Sequence, residues 1–295
     1  MVALLYKFLF AVIDLISRLP FWVLHRISDV FFLLVYYVIG YRKKMVLRNI
    51  KKSFPAMSDK EARQVRKKFY RHFADLLVES VKSSTMSQEE FQRRYRFTNR
   101  DLLNRYAAKG RNALILSPHT GNWEWIFSLV PQVDYEVYGV YQKLNNPYFD
   151  QYIRDTRQRF HGTVVPTKEV FSIVQESIDS NEKFVIWMAA DQACKPDKAL
   201  WFDFLNQPTT FHQGFEALAR EHNLVVFFMD IKKTGRSQFE LELKLITETP
   251  RDEPEGMIVE HFAQHTEARI LQEPAYWLWS HNRWKHKKPV ENATA

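Results

Sequence analysis

Residues 117–125 read Ser-Pro-His-Thr-Gly-Asn-Trp-Glu-Trp, so an imidazole and a carboxylate stand five positions apart with a glycine and an asparagine between them. A carboxylate bonded to one ring nitrogen fixes the imidazole tautomer and leaves the other nitrogen as a base near neutral pH. That arrangement activates a hydroxyl or an amine for attack. On one continuous helix, residues five apart diverge by about 140°, given about 3.6 residues per turn. His119 and Glu124 therefore meet only if the chain folds back, which Gly121 and a helix cap at Asn122 allow. Glu124 then occupies the first helical turn, where the dipole favours its ionised form. The competing reading is a capped turn whose polar groups satisfy one another.

Other chemistries fit less well. A zinc site on His119 and Glu124 lacks a companion histidine at helical spacing, and the single Cys194 rules out a cysteine pair. His261 and His265 are four apart and could share a helix face, but a solvated polar face accounts for them equally. Ser117 lacks the glycines of a nucleophile elbow. No glycine-rich phosphate loop is present. The expectation is an enzyme without metal or bound cofactor. One cysteine permits no internal disulfide, which points to a reducing, cytosol-facing compartment.

The elements that must position the pair follow from periodicity. From about residue 110, strand-like runs (112–117, 135–142, 162–166, 183–189, 224–231, 239–247) alternate with helical ones (122–130, 146–160, 167–180, 211–223, 254–273). Asn146 followed by Pro147 is a strong helix start. Strands interleaved with helices predict an α/β fold, a mixed but mostly parallel sheet flanked by helices. Residues 117–125 then form the turn from the carboxyl end of a strand into a helix, where open α/β sheets bind ligands. Asp191 and Gln192 follow another strand end. They either line the same cleft or cap the next segment.

The chain of 295 residues is 46% hydrophobic and 15% aromatic, which excludes a disordered tail and leaves room for a sizeable core. Its formal charge of +8 favours an anionic partner: nucleic acid, membrane or acidic substrate. Residues 1–41 are densely apolar, yet the longest run free of ionisable charge, Val30–Tyr41, has 12 residues against the roughly 20 a spanning helix needs. Helices lying in the interface are expected, with Trp22, Tyr36, Tyr37 and Tyr41 at headgroup depth; an aromatic core hairpin is the alternative. In the basic run that follows, Val46, Ile50 and Phe54 share one helical stripe among Arg42, Lys43, Lys44, Arg48, Lys51 and Lys52, which suits an anionic leaflet. We expect membrane-associated helices over 1–54 and an α/β domain over 55–295. Ser58 with Glu61 and Ser87 with Glu90 form capping boxes that start two helices.

The stretch His-Thr-Gly-Asn-Trp-Glu-Trp resembles the histidine-x4-acidic motif of glycerolipid acyltransferases, in the form found in the bacterial lipid A late acyltransferases. The likeness continues in order through residues 139–160, with Arg157 at an arginine position of the family's second block, and through Asp191-Gln192. It runs on through residues 204–220 and into the Trp-x-His-x-Arg run and basic tail within residues 273–289. The resemblance implies a glycerolipid acyltransferase-like fold and acyl transfer from an acyl carrier protein thioester to a lipid A precursor at the cytoplasmic face of the inner membrane. It implies His119 as base and Glu124 as its orienting carboxylate, with Arg157 or the backbone amides near Gly121 and Asn122 meeting the oxyanion. Trp123 and Trp125 then pack the acyl tunnel or the core. Where the family usually has Tyr-Arg-Pro, residues 141–143 are Tyr-Gln-Lys, so Lys143 or Arg154 is expected to meet the acceptor's phosphate. An amino-acid lipid or a lysophospholipid as acceptor, acyl-CoA as donor, and a non-catalytic peripheral membrane protein remain alternatives. Nucleic acid is not an expected partner.

Overall fold

The computed structural model describes residues 2–288, apart from the Lys198 side chain. Pro289, which ends the C-terminal run above, and the remaining residues to 295 lie outside the described residues.

The first third is helical: α1 (Val2–Ser17), α2 (Phe21–Leu33), α3 (Lys43–Ser53), α4 (Asp59–Lys82) and α5 (Gln88–Arg94). Then follow β1 (Tyr95–Phe97), α6 (Arg100–Ala108), β2 (Ala113–Ser117), β3 (Glu136–Tyr141), α7 (Pro147–Arg157), β4 (Thr163–Pro166), α8 (Val170–Asp179) and β5 (Phe184–Ala189). The chain ends with β6 (Ala199–Phe204), β7 (Gln207–His212), α9 (Gly214–His222), β8 (Val225–Gly235), β9 (Gln238–Thr247) and α10 (Met257–Gln272).

Seven strands form one sheet in the order β1-β9-β8-β2-β5-β3-β4, parallel throughout except for the β8–β9 pair. The expected mixed, mostly parallel α/β sheet is the architecture observed. Every residue of β2 is buried, as a central strand covered on both faces must be. Leu114, Leu116, Ile186, Val226 and Phe228 join the core on one face. Ile115, Trp187, Phe227 and Met229 join that on the other.

Three local predictions change. Phe211 and His212 belong to β7 and not to the helix, which begins at Gly214. The antiparallel β6–β7 hairpin was not foreseen: its two-residue loop, Leu205-Asn206, has φ of 51° and 59°. Both central residues of such a loop need positive φ, and leucine is a poor signal for that conformation. The helix after Asn122 is a 3-10 helix, Trp123–Gln132, with Pro131 inside it.

At the amino end, α2 runs on through a π-helical turn, Leu34–Ile39. The joined helix, Phe21–Ile39, is 19 residues long, enough by length and composition to cross a membrane. The uncharged run alone fell short of that because it stops at Asp29, whereas the helix extends back past Asp29 and Arg26. One side, with Leu24, Ser28 and Phe32 buried, packs on α4, where Ser28 donates to Asp75 at 2.7 Å and Arg71 lies over the Phe32 ring, while Trp22, Val30, Leu33, Tyr37, Val38 and Ile39 are exposed. Tyr36 departs from its expected place at headgroup depth. It faces α4 and is buried, with Arg66 donating to its hydroxyl at 3.2 Å and Lys43 over its ring. The apolar stripe of α3 is also used internally, since Val46 and Ile50 are fully buried and Phe54 packs on Trp279. What α3 turns outward is Lys44, Arg48, Lys51 and Lys52 around Leu47. From Arg42 to Arg71 the sequence holds twelve Lys/Arg against Asp59 and Glu61, a local +10 in a chain whose total is +8.

Candidate active site

Parallel pairing of β2 with β5 sets Ser117 opposite Ala189, and the ladder continues one bond further, Ala190 N to Ser117 O at 3.0 Å. Two residues past each partner stand His119 and Asp191. Adjacent strand ends thus deliver an imidazole and a carboxylate to one point on the carboxyl edge of the sheet.

His119 Nδ1 lies 2.5 Å from Asp191 Oδ1, and the His119 amide donates to Oδ2 at 3.0 Å. Trp277 Nε1 donates to the same Oδ2 at 2.6 Å. Burial by itself pushes the Asp191 carboxyl up. The His119 charge and hydrogen bonds from both His119 and Trp277 outweigh it and hold the carboxyl down at about 2. An ionised carboxylate only accepts, so Nδ1 carries a proton, and in the neutral ring Nε2 is the acceptor. Gln192 Nε2 is 3.2 Å from that atom.

The turn that carries His119 is clamped by the C-terminal segment. Leu278 N donates to His119 O at 3.1 Å, Thr120 bridges to Trp277, and Gly121 N donates to Tyr276 O at 3.0 Å. Gly121 has φ of 58°, and a Cβ there would stand 2.6 Å from Ile231 Cγ2, so both backbone and space call for glycine. Its amide is already engaged by Tyr276 and does not meet an oxyanion.

Glu124 departs from the expected role. No hydrogen bond joins it to His119; its Oε2 takes Arg157 Nη2 at 2.7 Å and Nε at 3.2 Å, and its Oε1 takes Trp123 Nε1 at 3.0 Å. The 3-10 turn places Glu124 against α7, while Asp191 already occupies Nδ1. His119 and Glu124 nevertheless line one cavity of about 480 Å³, together with Arg157, Gln142 and Gln192. A second cavity of about 360 Å³ is lined by Trp125, Phe127, Phe149, Tyr152 and Phe160, and it shares Glu124, Ile153 and Arg157 with the first. The Glu124–Arg157 ion pair stands where the two meet.

The remaining expected residues divide. Asp191 and Gln192 are at the site. Asn122 is fully buried and does not line the cavity; its Oδ1 caps the amides of Glu124 and Trp125 at 3.1 and 3.2 Å, and its Nδ2 donates to Glu79 at 2.7 Å. Lys143 is exposed outside the cavity lining, and Arg154 stands beside the Tyr141 hydroxyl, so of residues 142–143 the uncharged Gln142, and not Lys143, faces the space. His261 and His265 do not join a metal cluster, and none of three or more ligating side chains occurs among the described residues. Trp277 and His281 escaped the sequence reading, as did Glu79. His281 Nε2 accepts from Ala193 N at 3.1 Å, next to Gln192. The Trp-x-His-x-Arg run was the available signal for His281, but its contacts depend on long-range folding.

Base-assisted transfer of an apolar group fits an imidazole of this tautomer beside an apolar cavity. The family model of bacterial lipid A biosynthesis acyltransferases matches residues 3–286, and the chain belongs to that family. It is a membrane-associated acyltransferase of lipid biosynthesis. Among solved structures, the 1-acyl-sn-glycerophosphate acyltransferase PlsC from Thermotoga maritima is similar at 13% identity, with a TM-score of 0.40 over 92% of this chain and 99% of that one. A search of curated proteins found no match.

Proposed function

We propose that the enzyme moves a fatty acyl chain from an acyl carrier protein thioester to a hydroxyl of a lipid A precursor or related glycolipid, at the cytoplasmic face of the inner membrane. The observation that carries this reading is the His119–Asp191 pair, with the imidazole on the wall of a cavity that shares Glu124, Ile153 and Arg157 with an apolar one. His119 Nε2 takes the acceptor's hydroxyl proton as the oxygen bonds to the thioester carbonyl carbon. When the tetrahedral intermediate collapses, the C–S bond breaks and the carrier thiolate takes the proton from the imidazolium. Asp191 holds the ring and stabilises its positive form. Arg157, fixed in the cavity wall by Glu124, supplies positive charge for the oxyanion or an acceptor phosphate. Glu124 acts through Arg157. The acyl chain lies along Trp125, Phe127, Phe149 and Phe160. Exposed apolar helix faces and the Arg42–Arg71 cations support a seat on an anionic membrane.

Lipid mass spectrometry of cells with and without the gene tests the acceptor. A lipid A precursor lighter by one acyl chain in the deletion strain is expected. The same loss on an amino-acid lipid or a lysophospholipid would replace the acceptor. Purified enzyme given acyl carrier protein thioester or acyl-CoA separates the donors.

A further inference from the structure

Behind the catalytic turn lies a cluster of buried ionisable groups that acyl transfer leaves unused. His72, Asp75 and Glu79 follow one face of α4 at intervals of three and four, and all three are buried. Charges are buried at such cost only where partners meet them, and here the partners come from outside α4: the Gly121–Trp125 turn, α2, and β8 with its connection to β9. Glu79 Oε2 accepts from Asn122 Nδ2 at 2.7 Å, Oε1 accepts from Ser237 Oγ at 2.8 Å, and the Glu79 carbonyl accepts from Trp125 Nε1 at 3.0 Å. The Ser237 hydroxyl, having donated its proton, accepts from His25 Nε2 on α2 at 2.9 Å. His72 Nε2 donates to Gly121 O at 3.1 Å, and its Nδ1 accepts from Lys233 Nζ at 3.2 Å. Asp75 accepts from Ser28 of α2 at 2.7 Å and from Arg236 Nη2 at 2.7 Å.

We propose that Glu79 is a positioning residue for acyl transfer, holding Asn122 and thereby the turn that sets Glu124 and Arg157 opposite His119, with α2 completing the arrangement through His25 and Ser28. The proposal rests on the acyl-transfer reading above for what Glu124 and Arg157 do. Asn122 has two ends: one caps the amides of Glu124 and Trp125, and the other is fixed by Glu79 alone. Removing Glu79 leaves a buried amide without its acceptor and frees the turn to rotate. Shifts of about 1 Å in a reacting geometry cost about 10²-fold in rate. The helix that shows its apolar side to the surroundings is thus wired, by His25–Ser237–Glu79–Asn122, to the residue that holds Arg157. Glu79→Gln keeps the shape and, with its Oε1 toward Asn122, the acceptor that Asn122 needs; its amide then donates to Ser237 Oγ, whose hydroxyl turns to donate to His25 Nε2.

The test uses full-length Glu79→Ala, Glu79→Gln and Ser237→Ala proteins, each assayed with acyl carrier protein thioester and lipid A precursor and by amide hydrogen exchange. Glu79→Ala is expected to lower kcat by about 10²-fold with a smaller change in KM. It should also speed exchange over residues 119–125 while β2 and β5 stay protected. Glu79→Gln is expected to stay near wild type in both. Ser237→Ala, the milder change, should fall between and decides the matter if Glu79→Ala does not fold. Wild-type kcat and unchanged exchange in the folded Glu79→Ala or Ser237→Ala protein overturns the proposal. So does a Glu79→Gln protein as impaired as Glu79→Ala. If the wild-type enzyme leaves this thioester untouched, the substrate reading fails, and the exchange measurement still decides the positioning role.

Discussion

His119 and Asp191 are neighbours because each stands two residues beyond a register pair, Ser117 and Ala189, on adjacent parallel strands. The carboxylate nearest in sequence, Glu124, is turned to Arg157 instead. Asp191→Asn puts an amide donor or a weaker acceptor against Nδ1 and removes the charge that stabilises the imidazolium. We expect kcat to fall by about 10²–10⁴, as for loss of the base in His119→Ala, with the fold retained. Steady-state kinetics beside a thermal melt checks this; full kcat in a folded Asp191→Asn protein would detach the carboxylate from the mechanism.

Glu124 and Arg157 should behave as one unit. Glu124→Gln and Arg157→Lys are each expected to reduce kcat/KM clearly, because a charge or a planar fork is lost. The double variant should be little worse than either single one. A double-mutant cycle measures this, and strictly additive losses would mean that the two side chains act separately.

Ser80 lines the apolar cavity from α4. Ser80→Phe fills part of that space and should move donor preference toward shorter acyl chains. Each methylene in such a pocket discriminates by about 1–3 kcal/mol. Competition between carrier thioesters of different length, read by product mass, checks it. An unchanged length profile would place the chain elsewhere.

His281 gives a pH dependence with a definite sign. Burial, with smaller contributions from His119 and Arg283 and against the opposing Asp191, lowers its pKa from 6.5 to about 4. The unfolded chain therefore takes up this proton before the folded one does, so the stabilisation is complete above pH 6.5 and is lost as pH falls toward 4. Protonation also removes the acceptor for Ala193 N. His281→Gln keeps an acceptor and should flatten the stability loss between these pH values in denaturant titrations. A slope identical to wild type would assign the acid sensitivity to another group.

The outward cations of α3 should matter for membrane capture. Replacing Lys44, Arg48 and Lys52 by Glu is expected to weaken binding to anionic vesicles by about 1 kcal/mol or more per site and to leave neutral vesicles unaffected. High salt alone should not release the wild-type protein, since burial of its apolar helices is not screened. Release of wild type by salt would make the amino-terminal helices ordinary core.

Much of this was legible in the sequence because strand cores and helix caps are local signals. Ala113–Ser117, Phe184–Ala189 and the Asn146-Pro147 start fall where periodicity and capping put them. The partner of His119 was not legible, because strand register is a long-range property and Asp191 is 72 residues away. Glu79 looked like one more polar residue of an amphipathic helix; only the fold shows Asn122 above it. The Leu205-Asn206 turn was hidden by a leucine in a backbone region leucine seldom visits. Tyr36 was misplaced because an aromatic beside an apolar run reads the same whether it meets lipid or α4.

The thirty residues from Arg42 to Arg71 carry more positive charge than the whole chain, which leaves the remainder slightly anionic. Arg66 and Arg71 lie against Tyr36 and Phe32, so this charge borders the helix with the exposed apolar side. The molecule is therefore an electric dipole, and a negatively charged surface exerts a torque on it before any contact is made. At physiological ionic strength the field reaches only about 8 Å, so reorientation is confined to the final approach. Landing is then a matter of attitude as much as of affinity: collisions that begin with the wrong side down are turned, and dilute salt lengthens the distance over which that turning can happen.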